Sequence, residues 1–273
     1  TSGFALGFDR ILLVLETENY NFPSKFLDVY IIPINYDMFG KSIEILNYFN
    51  MKEKNLKYKD ISDRLKKSVN YLCYDSNRGL YAETPKKEIF SQHTNSFAIL
   101  AELRDEKDNY EIGKKLLNDI SLIKTTLYFD FYKFEALKKA GLGDKIIDEM
   151  GKWIEFLDAG LTTFPEHGIE SRSDCHAWAA HPLYDLLNIT AGIESTEPGF
   201  KSITISPSPG ELKKFNSSVP HPYGEISINY NKLDDMEEFQ IKVPEEVNSL
   251  FIYKNLKKEL SPGKNNIKIE ASN

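Results

Sequence analysis

The sequence predicts an α+β multidomain chain, an array of helical hairpins followed by a small antiparallel β-sandwich. Two observations predict it. From about residue 39 to 192 the apolar residues recur at helical spacing, and after Gly192 they alternate at strand spacing. A third bounds it: 273 residues, 41% hydrophobic and 27% charged, bury a core without disulfides or metals, in one large domain or two smaller ones.

The helical stretch reads as about seven elements. "KSIEILNYFN" (41–50) places Ile43, Ile45, Leu46 and Phe49 near one face. "DISDRLKKSVNYLCYD" (60–75) repeats this with Ile61, Leu65, Val69 and Leu72 behind Asp60, a candidate cap. "HTNSFAILAEL" (93–103), "YEIGKKLLNDI" (110–120), "FYKFEALKKAGL" (131–142), "KIIDEMGKWIEFLDAG" (145–160) and "CHAWAAHPLYDLLNITAG" (175–192) continue the series. Gly141, Gly160 and Gly192 stand where left-handed C-caps belong.

The strands follow in "FKSITISPSPG" (200–210), "GEISINYNK" (224–232), "EFQIKVPEE" (238–246), "SLFIYKN" (249–255) and "NNIKIEA" (265–271), parted by Pro-Gly turns. The change of period sets a boundary near residue 197, at "STEPGF". Residues 1–36, with "GFALGFDRILLVLE" and the buried-strand run "FLDVYIIPI", fit neither pattern.

Composition narrows the partners. A net charge of −7 and a pI near 5.4 oppose a nucleic-acid surface. No apolar run reaches the ~18 residues of a membrane span, and no basic, apolar leader opens the chain. Cys73 and Cys175 lie far apart and outside any C-x-x-C pair, so they read as two free thiols in a reducing compartment. With no leader seen, that leans towards the cytoplasm. Aromatic residues at 12% suit a deep core and also sugar, whose apolar face packs on flat rings.

One stretch concentrates reactive groups. "AGLTTFPEHGIESRSDCHAWAAHP" (159–182) holds three of the five histidines and one of the two tryptophans. Helical repeats that close into an (α/α) toroid carry their site on loops at one end, and a glycosidase there needs a carboxylate on a rigid loop. Glu166, between Pro165 and His167-Gly168, fits that requirement, with Phe164 as a sugar wall. The plain alternative is a solvated surface acid. His176 and Trp178 fall in the first turn of a predicted helix capped by Ser173 or Asp174; the plain alternatives are a backbone-bonded histidine and a core tryptophan. A metal site is disfavoured because His176 and His181 are five apart, and Pro182 interrupts the helix. A Cys175–His176 nucleophile fails because neighbours on a helix project about 100° apart.

The passage "GLTTFPEHG…SRSDCHAWAAHPLYDLLNITAGIESTEPGFKSITISPSPGEL" resembles the bacterial α-L-rhamnosidase family, the six-hairpin glycosidases. "VPHPYGEISINY" (219–230), "YFDFYKFEALKKAGLGD" (128–144) and "DSNRGLYAETPKKEIFSQHTNSFAILAEL" (75–103) extend the resemblance over roughly residues 37–273. It implies a partial (α/α) six-hairpin toroid over 37–196, a β-sandwich over 197–273, and inverting hydrolysis of terminal α-L-rhamnosides without a cofactor or metal. It implies Glu166 as the general base and His176, Trp178 and His93 as sugar contacts. Tyr128, Tyr132 and Glu135 are of lower rank. The family's catalytic acid lies upstream of these helices, so the chain is expected to hold the base without its acid and to be incomplete as an enzyme.

Residues 1–34 instead resemble motif 3 of histidyl-tRNA synthetases, with Arg10 at the ATP-contacting arginine, and read as a junction. A half-toroid leaves apolar helix faces wet, which predicts marginal stability or an oligomer across the open edge. Two other functions are carried forward: a non-catalytic carbohydrate-binding protein and a synthetase-derived nucleotide binder.

Overall fold

The computed structural model describes residue 43 and residues 45–270. The synthetase-like segment 1–36, Arg10 within it and the junction near 34–38 lie outside the described residues. Ile45 and Phe49, expected on a buried helix face, are exposed.

The helical part begins with α1 (Lys52–Leu72). It starts well before Asp60, which lies inside the helix and faces Arg64 instead of capping. A short hairpin, β1 (Tyr74–Asp75) and β2 (Leu80–Tyr81), turns on the Asp75 carboxylate, which accepts the Asn77 and Arg78 N–H groups. Ser91 caps α2 (Gln92–Leu100) and Asp105 caps α3 (Glu106–Asn118), each by accepting an orphan N–H of the first turn. Then come α4 (Asp130–Lys139), α5 (Ile146–Glu149) and α6 (Gly151–Asp158). Leu80, Ile99, Ile112, Leu116, Phe134, Leu137, Ile146 and Trp153 form one buried core from these elements.

The helix expected over 175–192 is not one helix. His176 is extended, Ala177–Ala180 is a 3-10 turn, α7 is Pro182–Asp185, and Leu186–Thr190 is a π-turn. Proline has no N–H to continue the ladder, so Pro182 starts a new helix at its first position. Neither Ser173 nor Asp174 caps it.

The chain then enters the sandwich directly. Ile189 belongs to the helical core, and Ala191 and Ile193 to the next. Gly192 makes the turn at φ +72°, and a Cβ there would lie 2.1 Å from the Ser206 carbonyl carbon, so no other residue fits. Lys138 Nζ bridges the two parts, donating to Asn188 Oδ1 at 2.6 Å and Glu194 Oε2 at 2.9 Å.

Two four-stranded sheets face each other. One runs β10 (Gly263–Glu270), β7 (Met236–Val243), β6 (Gly224–Lys232), β5 (Lys214–His221). The other runs β3 (Ile193–Ser195), β4 (Ser202–Ile205), β8 (Asn248–Tyr253), β9 (Leu256–Leu260). The pairings are antiparallel except β4 with β8, which is parallel. The alternation read from sequence holds: Ile203, Ile205, Ile226, Ile228 and Tyr230 all point into the core.

One carboxylate shares that core face. Glu237 lies two residues before Phe239 on β7 and is buried. It accepts from Tyr230 Oη at 2.9 Å and Tyr253 Oη at 2.8 Å, and pairs with Lys254. Burial pushes its carboxyl up, but the bonds from Lys254 and the two tyrosines outweigh that and hold it below its ordinary 4.5. A depressed carboxylate contributes stability that is complete above the unfolded value and fades as pH falls through the folded one. The thermal midpoint is therefore expected to drop as pH falls below about 4.5. Glu237→Gln is expected to cost about 1–3 kcal/mol at pH 7 and to flatten that acid dependence.

Candidate active site

The stretch rich in reactive groups folds as a tight two-limbed loop. Phe164–Glu166 runs against Ser173–His176. The Glu166 N–H donates to the Ser173 carbonyl at 2.8 Å, the His176 N–H to the Phe164 carbonyl at 2.7 Å, and Thr163 Oγ1 to the Asp174 carbonyl. Pro165 is buried, and its ring fixes the backbone φ next to Glu166.

Glu166 keeps 14% of its side chain exposed. Arg172, six residues on, grips it in a fork: Nε donates to Oε2 at 3.0 Å and a terminal nitrogen to Oε1 at 2.7 Å. The arginine is 82% exposed, so solvent competes for it and the pair is easily opened. His167 Nε2 stands 3.9 Å from Oε1 on the solvent side. Arg172 was not singled out in the sequence; the cue was an arginine at hairpin spacing from the acid.

From the end of this loop a line of rings runs back across the helices. His176 lies 6.4 Å from Trp178, centroid to centroid, and Trp178 lies 5.4 Å from Tyr128. Tyr128 is 6.4 Å from Phe129, which touches His93 at 4.2 Å and Tyr132 at 5.1 Å. Trp178 is not a core residue: 63% of it is exposed. Burial pushes the His93 imidazole down, against the upward pull of Glu83 and Asp130, so it is neutral at pH 7. A neutral imidazole both donates and accepts, which suits hydroxyl groups. Phe164 joins the line through its backbone, and its ring stands exposed.

The structure therefore gathers His93, Tyr128, Tyr132, His176 and Trp178 into one partly exposed wall around the buried Phe129, with Glu166 on the loop that leads into it. Glu135 is elsewhere. It lines the cleft of about 930 Å³ between the helices and the sandwich, with Lys138, Glu194, Lys232 and Lys254. None of the sugar-contact candidates lines that cleft. The exposed rings of Trp178 and Tyr132 lie on the wall, away from that cleft.

Beneath the wall lies a buried ionic cluster. Asp130, fully buried in the first turn of α4, accepts from Thr125 Oγ1 at 2.5 Å and pairs with Lys133 Nζ at 3.1 Å and with Lys152. Lys133 Nζ also reaches Glu149 Oε2 at 2.7 Å. The cluster ties the Phe129 turn to α5 and α6. Among the described residues no group of histidines, cysteines and carboxylates is arranged to hold a metal, and no helix is long and apolar enough to cross a membrane. Cys73 and Cys175 are free thiols.

Residues 192–268 match the bacterial alpha-L-rhamnosidase C-terminal domain. Among curated proteins nothing matches the chain. Solved structures share its fold, among them three rhamnosidases. A GH78 family rhamnosidase of Bacillus sp. GL1 is 20% identical, with a TM-score of 0.70 over 81% of this chain and 25% of that one. The alpha-L-rhamnosidase from Dictyoglumus thermophilum is 18% identical, with a TM-score of 0.74 over 86% and 31%. That of Streptomyces avermitilis, complexed with L-rhamnose, is 15% identical, with a TM-score of 0.70 over 87% and 26%. The chain thus spans about a quarter to a third of the solved structures it matches. The resemblance to the bacterial α-L-rhamnosidase family read from the sequence is borne out by these matches.

Proposed function

We propose that this chain is the base-bearing part of an inverting α-L-rhamnosidase. The helices between Lys52 and Thr190 supply part of an (α/α) six-hairpin toroid, and the strands from Ile193 to Glu270 its C-terminal β-sandwich, which therefore begins a few residues before the change of period near 197. Glu166 is the general base. His93, Tyr128, Tyr132, Phe164, His176 and Trp178 hold the sugar. The observation that carries this reading is the Arg172-held Glu166 carboxylate on a loop that runs into the line of rings from His176 through the exposed Trp178 to Tyr128.

In inverting hydrolysis a carboxylate takes a proton from water as the water oxygen attacks the anomeric carbon, and an acid on the opposite face protonates the departing oxygen. Glu166 fits the first role. Its two oxygens are already oriented by Arg172, and each retains a lone pair for a water. The rings fit the apolar face of a pyranose, and the imidazoles its hydroxyls. The proton donor to the leaving group is assigned to protein beyond this chain.

The assay is release of L-rhamnose from an aryl α-L-rhamnoside, by the chain and by any longer protein that carries it. Release supports the reading. Rhamnose binding without release from either supports a non-catalytic carbohydrate-binding protein. Trp178→Ala is expected to weaken rhamnose binding about tenfold, since losing a flat face that buries ~50–80 Å² of apolar surface costs about 1–2 kcal/mol. Because Trp178 is largely exposed, the variant should unfold within error of wild type. Calorimetry reads the first quantity and thermal unfolding the second.

A further inference from the structure

The wall rests on a buried pair that the proposed mechanism does not use. His181 and Asp185 stand one helical turn apart, and both side chains are almost wholly buried. The rings of Trp153, Phe134 and Phe131 surround the imidazole at 5.2, 5.5 and 6.0 Å.

Hydrogen-bond chemistry fixes much of its state. His181 Nε2 lies 2.8 Å from the Leu127 carbonyl oxygen. A carbonyl only accepts, so Nε2 carries a hydrogen. Nδ1 lies 2.5 Å from Asp185 Oδ2, and that contact needs one proton between the two atoms. The pair is neutral overall whichever atom holds it, as an imidazolium with a carboxylate or an imidazole with a carboxylic acid. Burial pushes the Asp185 carboxyl up, against the bond from His181, and Asp185 Oδ1 has no hydrogen-bond partner.

The charged and titratable groups around it leave this proton in place. Asp130 repels Asp185, but Lys133 and Lys152 sit on its own oxygens. Burial, together with Glu135, Glu194 and Asp185, pushes the Tyr184 phenol up to about 12, so it stays neutral.

The placement gives the pair a use. Leu127 precedes Tyr128 and Phe129, while His181 follows the 3-10 turn that holds Trp178. The Nε2 bond therefore joins the two backbone segments whose rings, Tyr128 and Trp178, meet at 5.4 Å. Trp153 Nε1 ties the same turn from the other side, donating to the Ala179 carbonyl at 3.0 Å.

We propose that His181 and Asp185 are positioning residues, a one-proton pair that fastens the Leu127–Phe129 turn to the Trp178 turn and sets the spacing of the two rings. The effect on sugar rests on the rhamnosidase reading above; the effect on the rings does not.

The test uses the 273-residue chain labelled with fluorotryptophan, which gives two fluorine NMR lines, assigned with Trp178→Phe. Trp153 touches His181 and is disregarded; Trp178 does not touch it. His181→Phe keeps a ring but loses both nitrogens, and the Trp178 line is expected to shift and broaden. Asp185→Asn can offer an amide N–H to the Nδ1 lone pair while Nε2 keeps its proton for Leu127, so its Trp178 line is expected within the wild-type linewidth. If His181→Phe fails to fold by far-UV circular dichroism, Asp185→Leu breaks the pair with the imidazole present and should move the line likewise. A Trp178 line unmoved by breaking the pair, or moved equally by Asp185→Asn, overturns the proposal. Titrated with L-rhamnose, the pair-breaking variant should bind about tenfold more weakly and Asp185→Asn less than threefold more weakly. A wild-type line that ignores rhamnose overturns the sugar reading, while the Trp178 line in the variants still decides the pairing.

Discussion

Glu166→Gln is expected to lower kcat on an aryl α-L-rhamnoside by about 10²–10⁴-fold, the range that a positioned general base contributes, in a protein that carries this chain and turns over. Glutamine has nearly the same shape and cannot take a proton from water. KM should stay within about threefold if, as proposed, binding falls to the rings and imidazoles; losing an interaction made only in the transition state lowers kcat and spares KM. The fold should survive. Glutamine keeps one acceptor for Arg172 and loses the other, and Arg172 is largely exposed, so the stability cost is expected at about 0–1 kcal/mol. Steady-state kinetics with a parallel urea titration reads both. A variant that retains more than about a tenth of wild-type kcat removes Glu166 from the base role.

The largest stability effect is expected at Asp130. Asp130→Ala strips the central anion from a cluster in which Lys133 is 3% exposed. Breaking a buried pair by deleting one partner leaves a charge with no solvent and costs about 3–5 kcal/mol, a large part of the 5–15 kcal/mol that holds a typical domain. Glu149 still faces Lys133, which places the loss nearer the lower figure. Asp130→Asn keeps the shape and one acceptor and should cost less. Lys152→Ala, at the solvent end, should cost least. Urea unfolding of the three variants gives the order directly, and an Asp130→Ala curve that overlays wild type contradicts this account of the cluster. Since the cluster also anchors the Phe129 turn, sugar binding should weaken in Asp130→Ala before the protein unfolds.

The sandwich was legible where its chemistry was regular. "GEISINYNK" matches β6 at both ends, because Ile226, Ile228 and Tyr230 alternate strictly against polar neighbours. β9, with sequence LKKEL, was missed: it is an edge strand with three consecutive exposed charged residues, and only Leu260 is buried. The start of α1 is hidden in the sequence because KEKNLKYKD faces solvent and shows no apolar stripe. The left-handed glycines at 141, 160 and 192 were read correctly, since few other residues take that conformation without strain.

The candidate site is legible in the sequence as residue types and less so as geometry. Glu166, His176 and Trp178 drew attention by their types and spacing. The helix imagined under them is broken at Pro182, so His176 and Trp178 stand on an extended residue and a 3-10 turn. Arg172 pairs across a loop, and Tyr128 meets Trp178 from fifty residues away in sequence. No local pattern encodes contacts of that kind. The i, i+4 spacing of His181 and Asp185 was visible, but their burial was not.

The most direct test of the central claim is the stereochemistry of the first product. Proton NMR during hydrolysis of an aryl α-L-rhamnoside, by a protein that carries this chain, should show β-L-rhamnose first and the α-anomer only as mutarotation proceeds, with both signals lost in Glu166→Gln. Initial release of the α-anomer means a covalent intermediate and retention, and contradicts Glu166 as a base that activates water.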